Sequence, residues 1–332
     1  GYQGSCTHPT PSPNTQSQAA ADTRETQEKS FGNTALPSQI QSLSCYSQPH
    51  IGPRFEKEGY AIIENFLTEE EVQSLRNEMA RIMDNLDPSE HRSVFRTTDQ
   101  FNDDYFMGSA DKIRFFFEDG ALDKDGNLLV DKKHSVNKIG HALHCQNPAF
   151  QKVTFSDKMK NLARAVKFED PVVCQSMYIF KQPRIGGKVV PHQDSSYLYT
   201  TPLRLMGVWI ALEDATLENG CLWFIPESHK DGVHGGKRMV RKANPAPGGN
   251  QTEYIGTEPQ YDDSKFIAGP VRKGTLVLIH GEVVHKSEHN YSDKSREIYT
   301  FHLFDQATSK YDERNWLQPT EANTFTHMFS ES

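Results

Sequence analysis

After Pro171 the chain breaks into a series of short apolar segments, and this feature limits its fold more than any other. Val172-Val173, Met177-Tyr178-Ile179-Phe180, Val189-Val190, Gly207-Val208-Trp209-Ile210-Ala211-Leu212, Cys221-Leu222-Trp223-Phe224-Ile225, Thr275 to Ile279 and Ile298 to Phe304 are all strand-sized and rich in β-branched or aromatic residues. Gly, Pro and Asn separate them. Many short strands with turn signals predict a sandwich or barrel. Upstream, Gly59-Tyr60-Ala61-Ile62-Ile63 reads as a strand, and Thr68 with Glu71 has the spacing of a capping box. Val72, Leu75, Met79 and Ile82 then recur at helical spacing, and a second helix is predicted from about Val153 to Val166. Helices first and strands later give an α+β, mainly β class rather than alternating βαβ units. Without a Gly-x-Gly-x-x-Gly or a P-loop, a nucleotide fold has no support.

Residues 1–50 are rich in Ser, Thr, Gln, Pro and Asn, and cannot offset their ordering entropy by burial. We expect a disordered extension there and one folded domain over 51–325. Residues 231–265, with paired glycines, two prolines and the basic cluster Lys237, Arg238, Arg241 and Lys242, read as a long loop insertion. The formal charge of −8 argues against general nucleic-acid binding. No apolar run reaches the roughly 18 residues of a membrane helix. Five scattered cysteines without a Cys-x-x-Cys pair fit a reducing compartment. With neither a signal pattern nor a peroxisomal C-terminal tripeptide, a cytoplasmic location is expected. The expected partner is a small-molecule substrate, with no nucleic acid, membrane or obligate protein partner indicated.

The chemistry resides in the histidines. His and a carboxylate at i and i+2 on a strand share a face and can share a metal. Fourteen histidines and 44 acidic residues in 332 positions produce roughly two such pairs by chance, and three occur, so context must decide. His229-Lys230-Asp231 sits at a turn, and the glycine of His280-Gly281-Glu282 breaks the strand alternation. His192-Gln193-Asp194 directly follows a strand and is the best placed. Further on, Val283-Val284-His285-Lys286-Ser287 and Arg296-Glu297-Ile298 flank Asn290-Tyr291-Ser292-Asp293. Read as a hairpin, they set His285 opposite Arg296 on one face. Two histidines and one carboxylate leave open positions on an iron ion, the arrangement of non-haem oxygenases. An arginine beside them suits the far carboxylate of 2-oxoglutarate.

Several stretches resemble the phytanoyl-CoA dioxygenase family. They are Phe55-Glu56-Lys57-Glu58-Gly59-Tyr60, Asn65-Phe66-Leu67-Thr68, His192-Gln193-Asp194, Glu218-Asn219-Gly220-Cys221-Leu222, Pro226-Glu227-Ser228-His229-Lys230, and His285 followed by Arg296. The resemblance implies a double-stranded β-helix, a cupin-like jelly roll, with flanking helices. It implies iron(II) at His192, Asp194 and His285, which are also the candidate catalytic residues. It further implies 2-oxoglutarate held by Arg296 with Lys138, Met177, Trp209 and Ser287 around it, and O₂ as oxidant. Such an enzyme turns 2-oxoglutarate into succinate and CO₂ and hydroxylates a small organic or acyl substrate. Two other readings use the same ligands: a metal- and 2-oxoglutarate-binding sensor without hydroxylase turnover, and a zinc hydrolase, for which Arg296 would have no purpose. Glu227 stands where the family usually has glycine. His229, His141 and His144 are second choices as ligands, the last two at i and i+3 on a supposed helix.

Overall fold

The computed structural model describes residues 43–44, 50–91, 93–95 and 103–329, so most of the extension expected over 1–50 lies outside the described residues. The major sheet contains β1 (Leu43–Ser44), β2 (Tyr60–Glu64), β3 (Ile113–Phe117), β4 (Val136–His141), β5 (Pro171–Ile179), β8 (Leu205–Ala211), β13 (Leu276–His280), β15 (Ile298–Asp305) and β17 (Thr326–His327). Its order is β1-β2-β13-β8-β15-β5-β4-β3, with β17 added to β5. The minor sheet contains β6 (Val189–His192), β9 (Leu222–Phe224), β12 (Ile267–Gly269) and β14 (His285–Ser287), in the order β12-β9-β14-β6. Two small ladders remain, β7 (Thr200–Thr201) with β16 (Lys310–Tyr311), and β10 (Arg238–Arg241) with β11 (Thr252–Ile255). Setting the small ladders aside, the chain from β5 visits the major, minor, major, minor, minor, major, minor and major sheets in turn. That alternation is the double-stranded β-helix, so the jelly roll with flanking helices is the observed fold.

Residue parity explains why both faces of the major sheet are apolar. Tyr299, Phe301 and Leu303 of β15, with Met206, Val208 and Ile210 of β8, join the cluster that packs on helices α1 (Ile51–Glu58), α2 (Glu69–Asp84), α5 (Pro148–Thr154) and α6 (Asp157–Ala165). Residues of the opposite parity, among them Trp209 and Ile298, pack toward Leu222 and Phe224 of the minor sheet. A strand covered on both faces reads as a continuous apolar run rather than an alternating one. Burying each such side chain contributes about 1.5–3 kcal/mol.

The capping box at Thr68 forms as read, with Glu71 N–H donating to Thr68 Oγ1 and Thr68 N–H to Glu71 Oε2. A cap of this kind is worth about 1 kcal/mol. The helix predicted from Val153 to Val166 is instead two, α5 and α6, because the Ser156 hydroxyl accepts from Met159 N–H and starts a new helix. Short α3 (Asp104–Met107) and α4 (Leu143–Gln146), together with β3 and β4, carry no clear periodicity and were not foreseen.

The long loop of residues 231–265 contains the β10–β11 hairpin. Its basic cluster is largely engaged. Lys237 Nζ lies 2.6 Å from Glu258, and Arg238 pairs with Asp312 at 3.0 Å with its guanidinium over the Tyr199 ring. Arg241 Nε donates to the Trp316 carbonyl. Glu227 takes a left-handed conformation with φ of 66°, which explains why glycine suits this turn. Glu227→Gly should therefore raise the thermal midpoint and leave metal affinity unchanged. A lowered midpoint in a calorimetric scan would count against this account of the turn.

Candidate functional site

His192, Asp194 and His285 meet, with one ligand atom from each lying within 4.8 Å of the others. His192 ends β6 and pairs in register with His285 at the start of β14. Asp194 is not on the strand. It opens a short 3₁₀ turn, Asp194–Ser196, which swings its carboxylate under both imidazoles. Backbone and side-chain bonds hold that turn in place. Ser195 N–H donates to the Gly281 carbonyl at 2.9 Å, and Ser195 Oγ donates to Glu282 Oε1. The His280-Gly281-Glu282 pattern thus supports the turn rather than a metal, and His280 Nδ1 lies 3.0 Å from Glu282 Oε2.

The hydrogen bonds fix the tautomers of both imidazoles. His192 Nδ1 lies 2.9 Å from the Val190 carbonyl and His285 Nδ1 lies 3.1 Å from that of Val283. A carbonyl only accepts, so each Nδ1 carries the proton and each Nε2 presents a lone pair. Burial pushes His285 down to about 4, which keeps it neutral at pH 7. For Asp194, burial works toward protonation. The histidines gathered around it, with His302 hydrogen-bonded to Oδ2, outweigh that and hold the carboxyl well below the usual range. Asp194 Oδ1 therefore faces the lone pairs of His192 Nε2 at 3.4 Å and His285 Nε2 at 3.5 Å. Three electron-pair donors converge with no proton to share, and a divalent cation is the group that fits them.

The hairpin expected to set Arg296 opposite His285 does not form. β14 pairs with β6 and β9, while β15 pairs with β5 and β8, so the chain crosses between sheets over 288–297. The Asn290 side-chain amide donates to the carbonyls of Lys181, Gln182 and Lys294, which draws the turn toward the end of β5. Arg296 still comes beside β14 by this other route. Its Nη1 donates to Ser287 Oγ at 3.2 Å and to the Gly220 carbonyl at 2.8 Å, and its guanidinium lies 5.3 Å from the centre of the Trp209 ring. Ser287 is two residues beyond His285 on the same strand face. Arg296 is only 2% exposed, and its Nε has no hydrogen-bond partner. Burial lowers it to about 10, so it remains a cation at neutral pH. A buried guanidinium with an unused donor is a place for a carboxylate.

A cavity of about 540 Å³ opens beside His192 and Asp194. Met177 and Lys138 line it, together with Phe106, Leu198, Met239 and Trp316. Lys138 Nζ sits 3.3 Å from the centre of the Phe95 ring, and burial pushes it down to about 7. Met239 belongs to the β10–β11 hairpin, so the insertion walls the cavity. The second-choice ligands are not at the metal centre. His229 bonds to the Glu56 carbonyl, His141 to Ser109 Oγ and His144 to Ser176 Oγ. Nor do His141 and His144 share a helix, since His141 ends β4.

The sequence reading missed His302, whose Nε2 lies 3.1 Å from Asp194 Oδ2, and Gln175, which contacts its Nδ1. The available signal was parity, because residue 302 faces the same way along β15 as Ile298 and Thr300.

The family model for phytanoyl-CoA dioxygenase matches residues 55–298. The chain is 50% identical over 287 residues to phytanoyl-CoA dioxygenase domain-containing protein 1 of Danio rerio, covering 83% of this chain and 97% of that one. Its Bos taurus counterpart is 50% identical over 297 residues, covering 87% and 100%. Two solved structures share the fold. The α-ketoglutarate-dependent epimerase SnoN from nogalamycin biosynthesis has a TM-score of 0.55 at 14% identity and covers 85% of this chain and 98% of its own. EctD from S. alaskensis, solved with 2-oxoglutarate and 5-hydroxyectoine, has a TM-score of 0.52 at 18% identity over 81% of each chain.

Proposed function

The chain belongs to the phytanoyl-CoA dioxygenase family, and from that premise we propose that it is an iron(II)- and 2-oxoglutarate-dependent dioxygenase acting on a small organic substrate. The observation that carries this reading is the pairing of the three-donor cluster with a buried arginine whose Nε is unused. His192 Nε2, His285 Nε2 and Asp194 Oδ1 would hold the iron. Arg296, positioned by Ser287 and Gly220, would grip the far carboxylate of 2-oxoglutarate, with Trp209 and Met177 around the co-substrate. When bound, the iron supplies activation of O₂ coupled to decarboxylation of 2-oxoglutarate to succinate. The protein orients the reactants and excludes water.

The cavity supports a small substrate with an apolar body, because Phe106, Leu198, Met239 and Trp316 form much of its wall. With Lys237 and Arg238 ion-paired and Arg241 bonded to a carbonyl, the loop gives little support for coenzyme A phosphates there. Among the described residues no helix is long and apolar enough to cross a membrane. A zinc hydrolase would leave the Arg296 clamp without use. The direct test is calorimetric titration of 2-oxoglutarate into the protein with and without a divalent metal, followed by assay of succinate release. Metal-dependent binding is expected. Binding that ignores both metal and Arg296 would refute the proposal.

Lys138 gives a pH signature. It is a cation below about pH 7 and loses that charge as pH rises. If it helps hold a 2-oxoglutarate carboxylate, the KM should rise about tenfold per unit above that pH. Lys138→Met should start with the higher KM and show no such slope. The same slope in both proteins would exclude Lys138 from the co-substrate site.

A further inference from the structure

We propose that His302 and Gln175 act as positioning residues that lock the Asp194 carboxylate so that only Oδ1 faces the metal; the inference rests on the metal-centre reading above. His302 Nε2 lies 3.1 Å from Asp194 Oδ2, and Gln175 Nε2 lies 3.1 Å from His302 Nδ1. The ionised carboxylate can only accept, so His302 Nε2 carries the proton. The Gln175 amide N–H then donates to the Nδ1 lone pair. The chain Gln175 to His302 to Asp194 is therefore a one-way relay of donors, and Oδ2 is occupied.

The sheet is shaped for this contact. His302 on β15 pairs with Gly207 on β8 and with Gln175 on β5, one row across three strands. A Cβ at Gly207 would lie 3.0 Å from Asp194 Oδ2 and 3.3 Å from His302 Nε2. A side chain there would crowd the contact between carboxylate and imidazole, which glycine leaves open. The Asp194 backbone, by contrast, is held from the other side through Ser195, Gly281 and Glu282. Backbone placement and carboxylate orientation thus have separate supports. A carboxylate free to rotate could bind through both oxygens and take a position that 2-oxoglutarate or O₂ needs. With Oδ2 held by His302, the ligand contributes one oxygen.

Cobalt(II) serves as the probe, titrated into apoprotein while affinity, visible absorption and the metal-free thermal midpoint are recorded. His302→Leu should weaken cobalt binding by about 10- to 100-fold and change the absorption, the loss typical of an outer hydrogen-bond partner. His302→Gln, whose amide can donate to Oδ2, should recover affinity to within about threefold of wild type. Gln175→Leu should give a smaller loss of about threefold or more. Wild-type-like affinity and absorption in His302→Leu would overturn the proposal. So would a His302→Gln protein as weak as His302→Leu, since a donor to Oδ2 would then restore nothing. Should His302→Leu fail to fold, Gln175→Leu decides, and unchanged affinity there overturns the proposal. If wild-type protein binds no cobalt, the metal-centre reading fails and this inference with it.

Discussion

Asp194→Ala should abolish both metal binding and succinate formation, with a loss on the order of 10³-fold or more, well beyond the 10- to 100-fold cost of an outer partner. Asp194 supplies the only negative charge in the cluster His192, Asp194 and His285. Without it, two neutral imidazoles remain, and nothing offsets the charge of a divalent ion in a buried site. The variant should still fold. The backbone amides of Tyr197 and Leu198 bond to the Asp194 carbonyl, which alanine retains, and Ser195 keeps its bonds to Gly281 and Glu282. Asp194→Asn separates charge from shape, because it is close to isosteric and lacks only the anion. Cobalt titration with succinate analysis checks both variants. Succinate at more than about a tenth of the wild-type rate in either would place the metal elsewhere.

The metal ligands were legible because the signal is local. A His and an Asp two residues apart at a strand end announce themselves in one short stretch. Even so, the geometry differs from a strand pair, since Asp194 reaches the site from a 3₁₀ turn. The nearness of Arg296 to the His285 strand was legible in residue type and not in route. Arg296 does come beside the strand of His285, through Ser287, but not across a hairpin, and no local rule distinguishes an eleven-residue hairpin from an eleven-residue crossover. Asn290 decides between them through bonds to residues about 110 positions away, information that pairwise spacing cannot hold. The same limit hid His302 and Gln175, whose meaning depends on Gly207 lying beside them in the folded sheet. The major strands were found readily because burial on both faces makes them continuous apolar runs. β3 and β4 were not, since Arg114 and Lys138 interrupt their apolar pattern, Lys138 where β4 lines the cavity.

Arg296→Ala should raise the KM for 2-oxoglutarate by about 10²- to 10³-fold, the scale of losing one partner of a buried charge pair. Metal affinity should be unchanged, because Arg296 touches none of the three ligand atoms. Its contacts are Ser287 Oγ and the Gly220 carbonyl, and Ser287 Oγ itself donates to Gly220 at 2.9 Å, so these groups remain partnered after the change. The effect on stability should run the other way. Burial lowers the arginine from its ordinary 12.5 to about 10. A base with a depressed folded-state value disfavours folding at every pH below its unfolded value, and the penalty is fully present once pH falls below about 10. Arg296→Met, which fills the space without the charge, should therefore match or exceed the wild-type thermal midpoint at pH 7 when no 2-oxoglutarate is present. Added 2-oxoglutarate with metal should raise the wild-type midpoint and leave that of Arg296→Met in place. The combination separates a binding arginine from a structural one. A structural arginine would cost stability on removal, whereas one kept for a ligand costs stability while it waits. A lower midpoint in Arg296→Met together with an unchanged KM would assign this residue to the fold and leave the co-substrate without its clamp.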